Sequence, residues 1–585
     1  VGFTTRPTLR GYGGAVSAGH HLATQIGVQV LADGGNAADA ACAMGFALQV
    51  LEPTQNGPAG EVPILVYEAA TDRCFAVSGQ GPAPAAATLS AMRERGITCI
   101  PPDGLLAATV PAALDAWCLL LERFGTRRLE DVLAPARGLA ERGFPMYPFL
   151  QVILRFCEPR FRAEWPGSAA LYAPVREIGE RQTNPPLAAF FEGLIRSERA
   201  AKGSRETRIR AARDSFYRGR AAEQIERFLA RPVRDATGRA HAGLLTAEDL
   251  ARYQGRIEDP VSASYRGATV WKCPPWSQGP VLLQQLRLLE GFELATMGAA
   301  GADAIHVWAE CAKLAFADRE AVYADPLFEK VPLERLLSDD YVRERRKLVD
   351  PAQASLELRP GIGSLPEGWP LVAPSPDAPA EPQGLAAALS RRDTTQLVAA
   401  DVAGNLVSAT PSGAWVPTSP VIPELGFPVG TRAQMFVLDP GHPNALAPGK
   451  RPRTTLSPSL ARLPDGRRMA FGTPGGDQQD QWSLHLLTAL LDFGAADLQA
   501  AIDAPTLHSL HMPSSFFPRL AQPGVLAMEE GFAPEVQAEL ARRGHRLQRG
   551  GRWDQGRLLA VTHADGRFEA AASPRFQVAY AAVLP

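Results

Sequence analysis

Between positions 303 and 323, Ile305, Trp308, Ala309, Ala312 and Phe316 recur at three- and four-residue steps while Glu310, Lys313 and Asp318 fall elsewhere. That spacing predicts an amphipathic helix whose aromatic stripe is core packing and not a cofactor box. The earlier segment GGNAADAACAMGFALQVLEP is small and apolar almost throughout. Gly34, Gly35 and Asn36 open its run of good helix formers and Pro53 stops it, so a buried helix is predicted there. From 195 to 225 the many Arg are interspersed with acids at helical spacing, the pattern of a solvated face and not of a nucleic-acid patch. The first half of the chain thus reads as helices separated by Gly and Pro.

The pattern changes at Pro351. Through about Pro382 the chain is rich in Pro, Ala, Gly and Ser, too poor in periodic apolar residues to form an element, and reads as a linker or loop. Beyond it the period shortens to that of strands. TTQLVAAD-VAGN-LVSAT, SLARL-PDG-RRMAFGT and RLLAVTH-ADG-RFEAAAS each pair two short strands around a Gly-containing turn. Antiparallel sheet is predicted for this C-terminal part, with helix between 480 and 505. No repeat period is visible.

Composition narrows the function. The 585 residues carry 60 Lys+Arg against 62 Asp+Glu, a net charge of -2 without a charged block, which argues against nucleic acid or an anionic membrane as the main partner. The dominance of Arg over Lys, with the Ala, Gly and Pro richness, reads as a base-composition bias. No stretch offers the roughly 20 apolar residues of a bilayer span. Seven widely spaced Cys without a CxxC pair read as free, mostly buried thiols. The opening VGFTTRPTLRGYGG shows no basic-then-apolar leader, which is either absent or already removed, so the location stays open with a cytoplasmic one slightly favoured over a periplasmic one.

The chain has no G-x-S-x-G elbow, no H-E-x-x-H, no P-loop and no G-x-G-x-x-G. Its ten His form no ligand pair at helical spacing, and neither a metal nor an organic cofactor is expected. What stands out is RRDTTQLVAAD at 391–401, with Thr394 and Thr395 where the linker meets the first strand. Two Thr there are ordinary strand composition. They become more if the bond after Asp393 is cut, because Thr394 would then carry an α-amine, with a reference pKa of about 8, beside its own hydroxyl: nucleophile and base in one residue. Gly475-Gly476 in FGTPGGDQQDQW is either a tight turn or a pair of N–H groups facing an oxyanion. GKRPRTTLSPSL at 449–460 either binds an anionic substrate group or caps a hairpin.

These segments, taken in order, resemble the γ-glutamyltranspeptidase family of N-terminal-nucleophile hydrolases over essentially the whole chain. The similarity extends through GLLTAEDLARYQGRIEDPVSASYRG, KCPPWSQGPVLLQQLRLLE and AKLAFADREAVYADP. It implies an α+β fold of αββα sandwich type. It also implies an inactive precursor that cuts itself between Asp393 and Thr394 into a large chain, 1–393, with a Pro-rich linker at about 351–393, and a small chain, 394–585, the two forming one intertwined unit. By the same resemblance Thr394 is nucleophile and base, Thr395 the second Thr of the motif, and Ser412 the hydroxyl that orients the nucleophile. Gly475 and Gly476 match the oxyanion glycines, and Thr454 and Thr455 the pair that holds a substrate α-carboxylate.

Two positions depart from the family pattern. Gln80, in GQGPAP, stands where the family has an Arg that clamps the α-carboxylate, and Gln434-Met435, in GTRAQMF, stand where it has carboxylates that bind the α-amine. Each lost charge-assisted contact is worth about 1.5–3 kcal/mol. Arg432, in the same loop, either faces an anionic acyl group lacking an amine or lies at the surface. The expected activity is that of a threonine amidohydrolase or acyltransferase that cleaves the amide of a carboxylate-bearing acyl group, glutaryl- or oxamate-like, and passes it from Thr394 to water or an amine. The alternatives are a genuine γ-glutamyl hydrolase or transferase acting on glutathione-type substrates, and an unprocessed, non-catalytic homologue.

Overall fold

The computed structural model describes residues 3–372, 394–495 and 497–585. The strand Leu397–Ala400 shows how the sequence builds its layers. Val398 and Ala400 enter one core and Leu397 and Ala399 another, because successive side chains of a strand point to opposite faces. A strand covered on both faces reads as an unbroken apolar run.

That strand lies in the middle of a seven-stranded sheet of order Tyr580–Val583, Ala15–Ala18, Leu397–Ala400, Leu406–Ala409, Ile64–Glu68, Arg73–Ser78 and Arg256–Glu258, antiparallel throughout. A second antiparallel sheet runs Leu9–Gly11, Arg567–Ala572, Leu559–Ala564, Arg468–Gly472, Ser459–Arg462, Ala268–Lys272 and Val261–Tyr265. Leu65, Val398 and Leu406 of the first meet Leu460, Ala470 and Val561 of the second in the core between them. Helices cover the outer faces. Ala37–Leu51 and Ala113–Phe124 pack on Leu397, Ala399 and Val407, while Pro280–Leu289, Ala302–Val322 and Gln479–Leu491 pack on Val270, Met469 and Phe471. The architecture is an αββα sandwich.

Local signals account for the helices. In Ala37–Leu51 the Asn36 side chain accepts from the Asp39 N–H and the Asp39 carboxylate accepts from the Asn36 N–H, a capping box. All its residues are buried; Phe46, Leu48 and Leu51 each contribute about 1.5–3 kcal/mol by leaving water. Gly45 admits the Trp117 ring, which a Cβ would meet at 2.3 Å. The three predicted hairpins and the helices at 303–323 and 480–505 are present.

The reading of the first half as helical needs correction. Strands lying before residue 273 make up three of the seven in one sheet and four of the seven in the other. Ile64–Glu68 and Ala15–Ala18 are short and buried on both faces, so no alternation betrays them. Segments from both sides of position 393 therefore contribute strands to each sheet. Of the Pro-rich stretch, Leu371–Val372 pairs in parallel with Leu520–Ala521. Positions 373–393, Asp393 included, lie outside the described residues. All seven Cys are unpaired, five of them buried. No helix among the described residues is long and apolar enough to cross a membrane.

Candidate active site

Thr394 forms an antiparallel bridge with Ser412, and Ser412 another with Glu61, so three segments form a row across one end of the first sheet. Thr394 Oγ1 lies 3.0 Å from Ser412 Oγ. The Ser412 oxygen accepts at 2.8 Å from Nη2 of Arg432, which polarises its hydroxyl. Arg432 also donates to the Glu61 carboxylate and stacks 4.8 Å from the centre of the Trp415 ring. Arg432 and Glu61 are 1 % and 2 % exposed at their side chains, a desolvated ion pair one contact removed from Thr394.

On its other side, the Thr394 carbonyl accepts at 2.6 Å from Nη2 of Arg557. The same nitrogen donates to Gln55 Oε1 at 2.6 Å, and Nη1 lies 3.9 Å from Glu52. Burial pushes the Glu52 carboxyl up, against the pull of Arg557, Thr395 and Gln55. Thr395 is buried beneath Thr394, with its N–H bonded to Pro411 O at 3.0 Å.

Gly475 and Gly476 sit in a turn that only glycine fits well, with φ of +129° and +55°. A Cβ on Gly475 would stand 2.2 Å from the Trp482 ring, and one on Gly476 would stand 3.0 Å from Phe516. Neither N–H donates to an acceptor among the described residues. The next residue, Asp477, takes an ion pair from Arg319 and a hydrogen bond from the Ser515 N–H at 2.8 Å. Burial would raise its carboxyl, but Arg319 and Arg453 hold it below the usual range. Arg453 is itself pushed down to about 10 by burial and by Arg319.

The other expected residues divide. Thr454 is close to the glycine turn: Gln278 donates its N–H to Thr454 O at 2.8 Å and its side chain to Gly476 O at 3.4 Å. Thr455 is buried, and its hydroxyl has no partner among the described residues. Gln434 turns inward, donating to Thr431 O at 3.1 Å and accepting from the Phe517 N–H at 3.3 Å. Gln80 lies one strand beyond Glu61, where it lines a cavity of about 410 Å³ with Asp249, Asp325 and Arg451. Glu61, Glu52, Gln55, Arg557 and Asp477 escaped the sequence reading; each is a single polar residue in a turn or at an element end, and although Glu52 and Asp477 lie within segments singled out above, no spacing marks their roles.

Among the described residues, His306, Glu310 and His545 are the one buried trio with ligand atoms mutually within 4.8 Å. The facing atoms have partners already: His306 Nδ1 and His545 Nε2 lie 2.8 Å apart in a hydrogen bond, and Glu310 pairs with Lys313. With two cations, Lys313 and Arg359, at Glu310, the trio suits a structural polar cluster better than a dication.

The profile of the family described as gamma-glutamyltranspeptidase matches residues 23–583. The acylase ACY 1 proenzyme of Pseudomonas sp. (strain SE83) is 33% identical over 96% of this chain and 91% of its own. The oxamate amidohydrolase proenzyme of Klebsiella pneumoniae is 30% identical over 96% and 97%, and the glutathione hydrolase proenzyme of Bacillus subtilis 28% over 96% and 90%. Among solved structures, a chain described as LmbA2991HD superposes with a TM-score of 0.94 at 46% identity, covering all of both chains. Cephalosporin acylase from Bacillus halodurans superposes with 0.82 at 30% identity, covering 100% of this chain and 98% of its own.

Proposed function

Because the chain belongs to the gamma-glutamyltranspeptidase family, and is thereby a self-processing amidohydrolase of the N-terminal-nucleophile type, we propose that Thr394 is its nucleophile and that its substrate is an amide whose acyl group carries a carboxylate. In maturation the Thr394 hydroxyl adds to the Asp393 carbonyl, the Asp393–Thr394 C–N bond breaks as the new amine takes the proton, and water hydrolyses the ester to leave 1–393 and 394–585. In turnover the free amine takes the hydroxyl proton while Oγ1 attacks the substrate carbonyl. The oxyanion forms against the Gly475 and Gly476 N–H groups, the amine returns its proton to the leaving nitrogen, and water or an amine releases the acyl group.

The observation that carries this reading is the 3.0 Å approach of Thr394 Oγ1 to Ser412 Oγ, itself held by the buried Arg432–Glu61 pair. The acyl preference draws on chemistry. Gln80 and Gln434 offer no charge to an α-carboxylate or α-amine, and Gln434 spends its side chain on its own loop. Of the cations at that loop, Arg432 is neutralised by Glu61 and Arg519 donates to the Gln434 and Phe436 carbonyls, so the acyl preference rests on the charges missing at positions 80 and 434. The relative named as an oxamate amidohydrolase agrees with an acid lacking the α-amine. Turnover of glutaryl, oxamyl and γ-glutamyl anilides by the matured protein tests it. Faster cleavage of the first two is expected; faster γ-glutamyl cleavage overturns the acyl assignment and returns the activity to that of the glutathione hydrolases.

A further inference from the structure

Arg557 touches both the candidate nucleophile and the strand end that leads into the glycine turn. Its guanidinium donates to the Thr394 carbonyl, while its backbone N–H donates at 2.9 Å to Oγ1 of Thr473, two residues before Gly475. The guanidinium is itself held, by Gln55 Oε1 at 2.6 Å and by the Phe149 and Phe576 rings, whose centres lie 5.7 and 6.0 Å away. The backbone is held as well: Leu559, two residues on, opens a strand paired with Arg468–Gly472, the strand that leads into the turn.

We propose that Arg557 is a positioning residue for both self-cleavage and acyl transfer, fixing the Thr394 carbonyl relative to the oxyanion turn; this rests on the reading of Thr394 as nucleophile. The need for it follows from chain geometry. Once Thr394 is a terminus, no preceding peptide restrains it, and rotation about its Cα–C bond carries amine and hydroxyl together away from the substrate. Ser412 restrains Oγ1 and the Thr395 N–H restrains the following peptide. A grip on the Thr394 carbonyl removes the remaining rotation. An Arg suits this better than a Lys because a planar fork reaches Thr394, Gln55 and the Glu52 side together. Misplacement by about 1 Å costs up to about 100-fold in rate.

The test follows R557A and R557K beside wild type and T394A. Self-cleavage is timed by intact mass, and kcat and KM are measured on matured protein, each with and without added guanidinium ion. Expected for R557A are cleavage slowed by at least about 10-fold, kcat lowered about 10- to 100-fold with KM nearly unchanged, and partial recovery with guanidinium. R557K, keeping one donor, should fall between. Wild-type cleavage and kcat in R557A overturn the proposal, as does a loss that neither guanidinium nor R557K relieves in folded protein. Should R557A not fold, R557Q is read by the same criteria. If T394A still cleaves, the nucleophile reading itself fails; if T394A stays intact while R557A behaves as wild type, only the role of Arg557 fails.

Discussion

Replacing Glu61 by Gln should cost this protein more than its distance from Thr394 suggests. The change keeps shape but removes the charge that neutralises Arg432, whose side chain is 1 % exposed. Stranding one member of a buried pair costs about 3–5 kcal/mol. The Trp415 face, 4.8 Å from the guanidinium, is in place with or without Glu61 and so leaves that loss undiminished. For 585 residues the unfolding entropy is about 1.2 kcal/mol/K, so the melting midpoint should fall by about 2.5–4 °C. Scanning calorimetry in the T394A background keeps the chain uncut and the comparison simple. In the active background, an arginine released from Glu61 no longer fixes Ser412, and kcat should drop about 10-fold with KM little changed. The double variant E61Q/R432M removes both charges and should lose less stability than the two single changes added together, by about 2 kcal/mol. Additive losses, or E61Q with the wild-type midpoint and kcat, would refute the idea that this pair supports Ser412.

Two further outcomes follow from the same geometry. Gly475→Ala should lower kcat by about 100- to 1,000-fold, the worth of one oxyanion donor, since φ of +129° is closed to Ala and its Cβ would meet Trp482 at 2.2 Å. Gly476→Ala, at φ of +55° and 3.0 Å from Phe516, should be milder, and equal effects in steady-state kinetics would contradict the assignment. Stability should fall on mild acidification. Burial pushes His20 and His511 down to about 3, His485 to about 4 and His545 to about 2, so all four stay neutral in the fold while the unfolded chain takes up protons below about 6.5. Their contribution is whole above pH 6.5 and is lost progressively as pH drops towards 3. A urea midpoint unchanged between pH 6.5 and 5 would count against it.

Much of this was legible in the sequence because the signals are local. A helix opened by Gly34-Gly35-Asn36, hairpin turns at Gly404, Gly466 and Gly566, and a Thr-Thr pair at a strand start announce themselves within a few residues. The early strands did not, since burial on both faces erases the period of two. Nor did the partners of Thr394. Glu61 reaches it through Ser412 from 333 positions away in the chain and Arg557 from 163, and only the shared sheets bring them together. Arg432 was picked out as a cation facing either substrate or the surface; its ion pair with Glu61 is a fact of packing that no spacing encodes.

Intact mass spectrometry on the denatured protein, beside Thr394→Ala and after incubation at neutral pH, tests the central claim most directly. The account predicts two fragments, 1–393 and 394–585, from the unaltered chain and a single uncut chain from the variant. Cleavage at another bond, or cleavage that persists without the Thr394 hydroxyl, would contradict it.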